Sequence, residues 1–272
     1  MNAGRNTMTS SEQPRPSQAV LETAMLLCIE TSGTVCGVAL AECKTSYSGD
    51  KSVKGQDFVP FAMIAECSFF EPHEHDRLLA EATQTLLRLT NRSMSHIQAV
   101  AVSSGPGSFT GLRIGAAFAK ALTFDDTTDR TSPRLLAIPT MTAIAYAARH
   151  TAQMLAKAHI LVAIPSHKNL IYVQEFSNGA VPTTEIRLIS SETLLPQADT
   201  FYTGTYFADV SIFDNPATTQ DFTSLPDLCR ITPRMIAEYA TVLFQKQAFT
   251  PSAEFVPLYA QEFVPKTVGA NS

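Results

Sequence analysis

Apolar runs alternate with polar, turn-forming segments along the first part of the chain and mark out its first elements. Residues 25–30 and 35–41 are apolar and flank the turn-forming residues 31–34, which predicts a β-hairpin. A third strand is predicted at residues 58–67. Leucine and alanine then recur at helical spacing from Asp76, which is available as the N-cap of an amphipathic helix.

The same pattern predicts a buried strand at residues 97–103, a glycine-rich corner and a helix at about 109–123. After the polar residues 127–133, the pattern starts again with a strand at 134–138. The other predicted elements are helices at 139–156 and 233–247 and strands at 159–164, 170–176, 185–189, 200–203 and 210–213. This order predicts an α/β fold with two lobes.

The chain divides into four predicted parts. Residues 1–24 are rich in Ser, Thr, Gln and Pro and lack the apolar core of a secretory signal, so they are predicted to be a disordered extension. An N-terminal lobe is predicted over residues 25–126 and a C-terminal lobe over 134–230. Residues 231–272 are predicted to form a closing helix and a tail that pack back on the N-terminal lobe.

Composition narrows the class of protein. The 272 residues carry a net charge of −5, and the 20 Lys and Arg form no basic run, so the chain shows no footprint for binding RNA on its own. No apolar stretch reaches the roughly 20 residues of a membrane helix. Five cysteines without a Cys-x-x-Cys pair favour buried reduced thiols of a cytoplasmic protein over a disulfide framework or zinc site.

The glycine-rich segment SGPGSFTGLRIG at residues 104–115 leaves a strand and enters a helix. Free amides at such a corner can hold an anion. The candidate anion- or nucleotide-binding residues are Gly105, Gly107, Ser108, Thr110 and Arg113. The glycine spacing matches neither a phosphate loop ending in Gly-Lys-Ser/Thr nor a dinucleotide fingerprint, and a turn required only for folding is the alternative.

The helix that follows the corner has one nearly smooth face, because Gly111, Gly115 and Ala119 recur every four residues. Small residues at this spacing allow the backbone of a neighbour to approach closely. The neighbour is either another subunit or the sheet of the same chain, and the spacing alone leaves both open.

Several blocks of sequence, taken together, resemble the TsaB/YeaZ family in order over most of residues 25–265. These blocks are LLCIETSGTVCGVAL, HEHDRLL, AVSSGPGSFTGLRIGAAFAKAL, LLAIPTMTAIA and PLYAQEFVPK. The resemblance implies an actin-like (ASKHA, ribonuclease H-like) α/β fold of two related lobes with mixed sheets flanked by helices. It also implies a scaffold role beside the catalytic homologue TsaD, joined by the ATPase TsaE, in forming N6-threonylcarbamoyladenosine at position 37 of tRNA.

The resemblance further implies that the first two helices form a subunit interface. The interface residues expected on these helices are Leu78, Leu79, Ala82, Leu86, Gly111, Leu112, Gly115 and Ala119. A homodimer through the same face is the alternative resting state. No cofactor of its own is expected, since ATP and a divalent metal are expected in TsaD, and tRNA is expected to be bound only indirectly.

Three motifs depart from the catalytic relatives. Where the metal-binding paralogue has His-x-x-x-His, residues 140–144 read Thr-Met-Thr-Ala-Ile, so no metal site is expected. The usual Asp-Thr-Ser is Glu30, Thr31, Ser32, and the usual Ile-Asp-Ala-Arg is replaced by Ile-Pro-Ser-His at residues 164–167. No catalytic residue is therefore assigned.

Two enzymatic alternatives belong to the same fold. The first is an ATP-binding, sugar-kinase-like enzyme, but this chain has Pro165 where such an enzyme would have a carboxylate. The second is an M22-type peptidase, but the sequence contains neither His-Glu-x-x-His nor a recognisable catalytic triad. His73, His75 and Asp76 form a dense polar cluster, for which a solvated helix cap is favoured over a zinc site.

Overall fold

A computed structural model of the chain describes residues 22–45, 61–70, 75–124, 132–208 and 223–259. The first part contains strands β1 (Glu22–Glu30), β2 (Cys36–Thr45), β3 (Phe61–Phe69), β4 (Ile97–Ser103) and β5 (Arg134–Ile138), with helices α1 (His75–Leu89) and α2 (Phe109–Thr123). The second part contains α3 (Thr140–Met154), β6 (His159–Pro165), β7 (Leu170–Ser177), β8 (Arg187–Ser190), β9 (Thr200–Thr203), β10 (Thr223–Ser224) and α4 (Pro233–Gln245).

The first sheet has the strand order β3-β2-β1-β4-β5. Strands β1, β2 and β3 form an antiparallel meander, whereas β4 runs parallel to β1 and β5 runs parallel to β4. Along β1, Leu26 and Cys28 face one core and Leu27 and Ile29 face another, as the two-residue period of a strand requires. Both faces of this sheet are therefore covered, which explains its continuous apolar runs.

The second sheet repeats this arrangement, with the order β10-β9-β6-β7-β8. Strands β6, β7 and β8 form the antiparallel meander, and β9 and β10 continue in parallel from β6. Each lobe thus has three antiparallel strands followed by two parallel ones. The predicted α/β architecture of two related lobes is confirmed.

Helices α3 and α4 lie between the two sheets and pack on each other. Helix α3 packs on β6, and α4 packs back on β1, β2 and β3, so one apolar core joins the two lobes. Helices α1 and α2 cover the outer face of the first sheet. The helix period predicts these faces well, because Met235, Ile236 and Ala240 on α4 are buried at i, i+1 and i+5.

Most predicted elements lie within a few residues of the observed ones, and the bounds of β4, β5, β9 and α2 are confirmed. Strand β1 starts at Glu22, inside the predicted extension, because residues 22–24 pair with residues 43–45 of β2. Strand β3 begins at Phe61 and α1 at His75, so Asp76 lies inside the helix. Residues 1–21, and the strand predicted at 210–213, lie outside the described residues.

Cys28, Cys36, Cys43 and Cys229 are buried, and Cys67 is half-buried. The predicted burial of the cysteines is confirmed for four of the five. Burial raises the pKa of Cys229 to about 11, so this thiol stays protonated at neutral pH. The longest described helices have 15 residues, and none has the length and hydropathy of a membrane span.

An extended segment after α4, residues 249–259, runs back along the first lobe and is called the C-terminal strap. Thr250 forms an antiparallel bridge with Leu135 of β5, and the Leu258 N–H donates to Ser104 O at 2.7 Å. Phe255 is buried with α2 in the outer core. The strap therefore covers the β5 edge of the sheet and fastens the corner before α2.

Replacing the strap's anchor tests this role. We expect Phe255→Ala to lower the free energy of unfolding by about 3–4 kcal/mol, because the ring leaves a cavity in the outer core. Urea unfolding measures this change. The neighbouring Val256 is 69% exposed, so Val256→Ala should change stability by less than about 0.5 kcal/mol. Equal losses in the two variants would contradict the assignment.

Candidate functional site

The carboxyl end of β1 carries a buried acid that is bonded to the turn following it. Glu30 Oε1 accepts from the Ser32 N–H at 2.5 Å, the Ser32 hydroxyl at 2.7 Å and the Gly33 N–H at 3.2 Å. Glu30 and Thr31 have no exposed surface, and Ser32 has almost none. The acid thus serves as the internal hydrogen-bond acceptor of residues 31–33, called here the seat turn.

Burial also changes the acidity of this group. Burial raises the pKa of Glu30 to about 7, while hydrogen bonds from Ser32 and Gly33 limit the rise. Ser103 ends the neighbouring strand β4, next to Glu30 in the parallel register. Glu30 Oε2, Thr31 Oγ1 and Ser103 Oγ are buried and have no hydrogen-bond partner among the described residues. A protonated carboxyl is favoured in such a place, because it removes a buried charge.

The first half of α2 rests directly on the seat turn. A Cβ added at Gly107 would lie less than 3.0 Å from Ser32 O, one at Gly111 less than 3.0 Å from Thr31 O, and one at Gly115 less than 3.0 Å from Thr31 Oγ1. The Ser108 N–H donates to Ser32 O at 2.7 Å. The smooth face of α2 is therefore in contact with the chain's own β1 end.

Some amides of the predicted anion corner have partners within the chain. The Gly105 N–H donates to Thr140 Oγ1 at 3.0 Å, and Ser108 caps the helix by accepting from the Gly111 N–H at 3.2 Å. Arg113 lies over the ring of Phe109, with its Cζ 4.3 Å from the centroid. Thr110 is exposed in the first turn. An anion at this corner stays a prediction, and it would compete with these contacts.

Most residues predicted for a subunit interface are covered by the chain itself. Leu78 is half-buried, and the seven others are buried: Leu79, Ala82, Leu86, Gly111, Leu112, Gly115 and Ala119. The smooth face of Gly111, Gly115 and Ala119 therefore packs inside the chain, which was one of the two alternatives left open by the spacing. A second subunit can reach only the solvent side of α1 and α2.

The solvent side of α2 has its own small residues, which the sequence analysis missed. Ala117 and Ala121 are exposed four residues apart, and the half-buried Ile114, Phe118 and Leu122 flank them. The signal was present, since Ala117 and Ala121 repeat the four-residue spacing of the buried Gly115 and Ala119 two positions earlier. This exposed apolar stripe of α2 is called the docking stripe.

The surroundings of the seat turn and the segment that follows β5 are also filled by residues of the same chain. A Cβ added at Gly33 would lie 3.0 Å from Cγ2 of Ile231 and 3.7 Å from Cγ2 of Thr205, so the seat turn touches the second lobe. The first turn of α3, which follows β5, is buried from Thr140 to Ile144. Within the described ranges, no three His, Cys, Asp or Glu side chains are grouped so that they could hold a metal ion.

The duplicated strand order, the interlobe helices and the glycine corner define an α/β protein of two actin-like lobes. A family profile described as TsaD, tRNA N6-adenosine threonylcarbamoyltransferase, matches residues 71–268, more than half of the chain. The chain therefore belongs to this family, as a TsaB/YeaZ protein.

Individual relatives agree with this assignment. The Haemophilus influenzae protein called tRNA threonylcarbamoyladenosine biosynthesis protein TsaB is 24% identical over 258 residues, which cover 90% of this chain and 96% of that protein. The Escherichia coli protein of the same description is 41% identical over 51 residues, 19% of this chain and 22% of that protein. The solved structure of YeaZ from Pseudomonas aeruginosa has a TM-score of 0.63 at 18% identity, covering 87% of this chain and 99% of that one.

Glu30 should make stability depend on pH in a defined direction. Its pKa in the folded chain, about 7, lies above the ordinary value of 4.5, so the folded state holds this proton more tightly. The free energy of unfolding should therefore fall, by about 3 kcal/mol from this group, as the pH rises from 4.5 through 7. Glu30→Gln should remove that fall.

Urea unfolding at pH 4.5 and pH 8 provides the comparison. Glu30→Gln should be close to the wild type at pH 4.5 and more stable at pH 8, because the amide keeps an acceptor oxygen without the charge. A stability difference between the two proteins that is the same at both pH values would contradict the raised pKa.

Substitution of Gly111 tests whether α2 rests directly on the seat turn. Gly→Ala inside a helix ordinarily stabilises by up to about 1 kcal/mol, yet Gly111→Ala should destabilise by about 2–3 kcal/mol, because its methyl group would meet the Thr31 carbonyl. Thermal and urea unfolding measure the sign. Ala121→Ser adds one atom on the solvent side of the same helix and should change stability by less than about 0.5 kcal/mol. A stabilised Gly111→Ala would show that the seat yields.

Proposed function

We propose that this chain is a non-catalytic scaffold and activator subunit in the synthesis of N6-threonylcarbamoyladenosine in tRNA. In this role it binds a catalytic subunit of the TsaD type and holds it in its active form. Family membership supports the pathway, since the relatives at 24% and 41% identity carry the name of tRNA threonylcarbamoyladenosine biosynthesis protein TsaB.

The state of Glu30 is the observation that carries the non-catalytic part of the proposal. A carboxylate that organised a metal or nucleotide would have its oxygens directed toward solvent or a ligand. Glu30 is instead fully buried: its Oε1 accepts three hydrogen bonds from Ser32 and Gly33, and its Oε2 is closed off from solvent, without a partner among the described residues. The acid supports the fold rather than a reaction.

The docking stripe supports the binding part. Exposed alanines at Ala117 and Ala121 let the backbone of a facing helix come close, and Ile114 and Phe118 provide apolar contact beside them. Arg113 and Phe109 extend the surface at the start of α2, with the Tyr259 ring of the strap 5.0 Å from that of Phe109. A helical partner fits such a stripe better than a small molecule does.

The remaining parts of the proposal follow from this role. Any ATP and divalent metal belong to the TsaD-type subunit, and a TsaE-type ATPase joins the larger complex. The net charge of −5 is consistent with tRNA held by another subunit. The site of action is the cytoplasm, and a homodimer through the docking stripe competes with the heterodimer.

Substitution at the stripe tests the docking. Ala117→Arg should raise the Kd for the TsaD-type subunit of the same organism at least about a hundredfold, because a long charged side chain keeps the helices apart. Isothermal titration calorimetry measures the affinity, and circular dichroism verifies the fold. Ala198→Arg is the control, since Ala198 is an exposed alanine on the second lobe.

A threonylcarbamoylation assay tests the activation. The reconstituted TsaD-type subunit should need this chain for full activity on tRNA, and the Ala117→Arg variant should fail to provide it while Ala198→Arg provides it. Wild-type affinity and activity with Ala117→Arg would refute the docking stripe. Turnover of ATP by the isolated chain would refute the non-catalytic assignment.

A further inference from the structure

We propose that Glu30 is a positioning residue for α2: its carboxyl oxygen Oε1 holds the seat turn in the shape on which α2 rests. One consequence rests on the proposed function: docking of the catalytic subunit should depend on this buried acid, although the acid cannot touch that subunit. The position of α2 itself can be measured without any partner.

Glu30 fixes the shape of the seat turn through hydrogen bonds. Three donors of the seat turn converge on the single oxygen Glu30 Oε1, at 2.5, 2.7 and 3.2 Å. Two of them are backbone N–H groups, of Ser32 and Gly33, and therefore fix the path of the chain. Since the site is buried, water does not replace a lost acceptor, and the turn would have to change shape to satisfy these donors.

The second step runs from the turn to the helix. The oxygen of Thr31 faces Gly111, and the oxygen of Ser32 faces Gly107 and accepts from the Ser108 N–H. Ser108 is in turn the N-cap of α2 and accepts from the N–H groups of Gly111 and Leu112. Because these are backbone contacts with no side chain between them, a shift of the turn carries the helix with it.

The third step runs from the helix to the docking stripe. Ala117 and Ala121 are exposed on the solvent side of α2, whereas Gly111 and Gly115 are buried on the side that meets the β1 end. A rigid helix transmits a tilt at its first turns to the whole stripe. Helix contacts built on small residues tolerate little displacement, since they depend on close approach.

Glu30 could instead only fill space in the core, and two variants distinguish this role from positioning of the seat turn. Gln and Met have nearly the shape of Glu, but only Gln keeps an acceptor at the position of Oε1. If Glu30 merely fills its cavity, Glu30→Met should be as good as Glu30→Gln, because both remove a buried charge. If Glu30 positions the seat turn, Glu30→Gln should keep α2 in place and Glu30→Met should not.

Hydrogen exchange followed by NMR at pH 7 measures the position of α2 in the isolated chain. In Glu30→Met, the protection of the Gly111 and Leu112 amides should fall at least about tenfold, as expected for one lost buried hydrogen bond. In Glu30→Gln it should stay within about threefold of the wild type. Val173→Ala, a cavity variant in the second lobe, is the control for a general loss of stability.

Calorimetry with the TsaD-type subunit then measures the consequence. The Kd should rise at least about tenfold for Glu30→Met, with Glu30→Gln and Val173→Ala near the wild type. Equal exchange in the Met and Gln variants would overturn the positioning role. Loss of protection without a change in affinity would overturn the link between Glu30 and docking. If the wild-type chain fails to bind the subunit, the proposed function is refuted. The exchange data would then still decide whether Glu30 positions α2.

Discussion

The position of α2 in the first lobe depends on one contact, in which Thr31 and Ser32 touch a glycine-lined side of this helix and of the corner before it. Gly107, Gly111 and Gly115 let the helix come within backbone distance of the β1 end, and Glu30 holds that end in place from below. This contact sets the height and tilt of α2 over the sheet. It also decides which residues of α2 are left for solvent, since the side that meets the sheet consists of the residues without bulk.

Several polar groups at the carboxyl ends of β1 and β4 are bonded within the chain. Gly105 bonds to Thr140, Ser108 bonds to Ser32, and Glu30 bonds to its own turn. Glu30 Oε2, Thr31 Oγ1 and Ser103 Oγ are buried beside them without a partner among the described residues. The bonded backbone donors stabilise the corner before α2, because each has an acceptor inside the chain.

The pattern of apolar residues predicted the strand and helix order well, because β4, β5 and α2 are buried elements with clear periods and polar ends. It failed at Glu22–Ala24, where strand pairing with β2 continues through polar residues. It also gave no pairing at Thr250, which bridges to Leu135, since Pro251 and Pro257 interrupt any period. For α2, the spacing of Gly111 and Gly115 correctly indicated a close neighbour, but spacing contains no information about whether that neighbour is a sheet or a subunit. Only the position of Thr31 decides it.

The strap has a consequence for the order of events during synthesis. Its Ser252 hydroxyl lies 2.7 Å from that of Thr123, a residue 129 positions earlier, and Phe255 completes the core beneath α2. The ribosome therefore releases the two helices of the first lobe long before it releases the segment that fastens them. At about 5–20 residues per second this interval is roughly ten seconds, during which the nascent lobe lacks its last piece of core. Nascent chains that stop short of the strap would lack the contacts of Ser252 and Phe255 that fasten α2 from its far end.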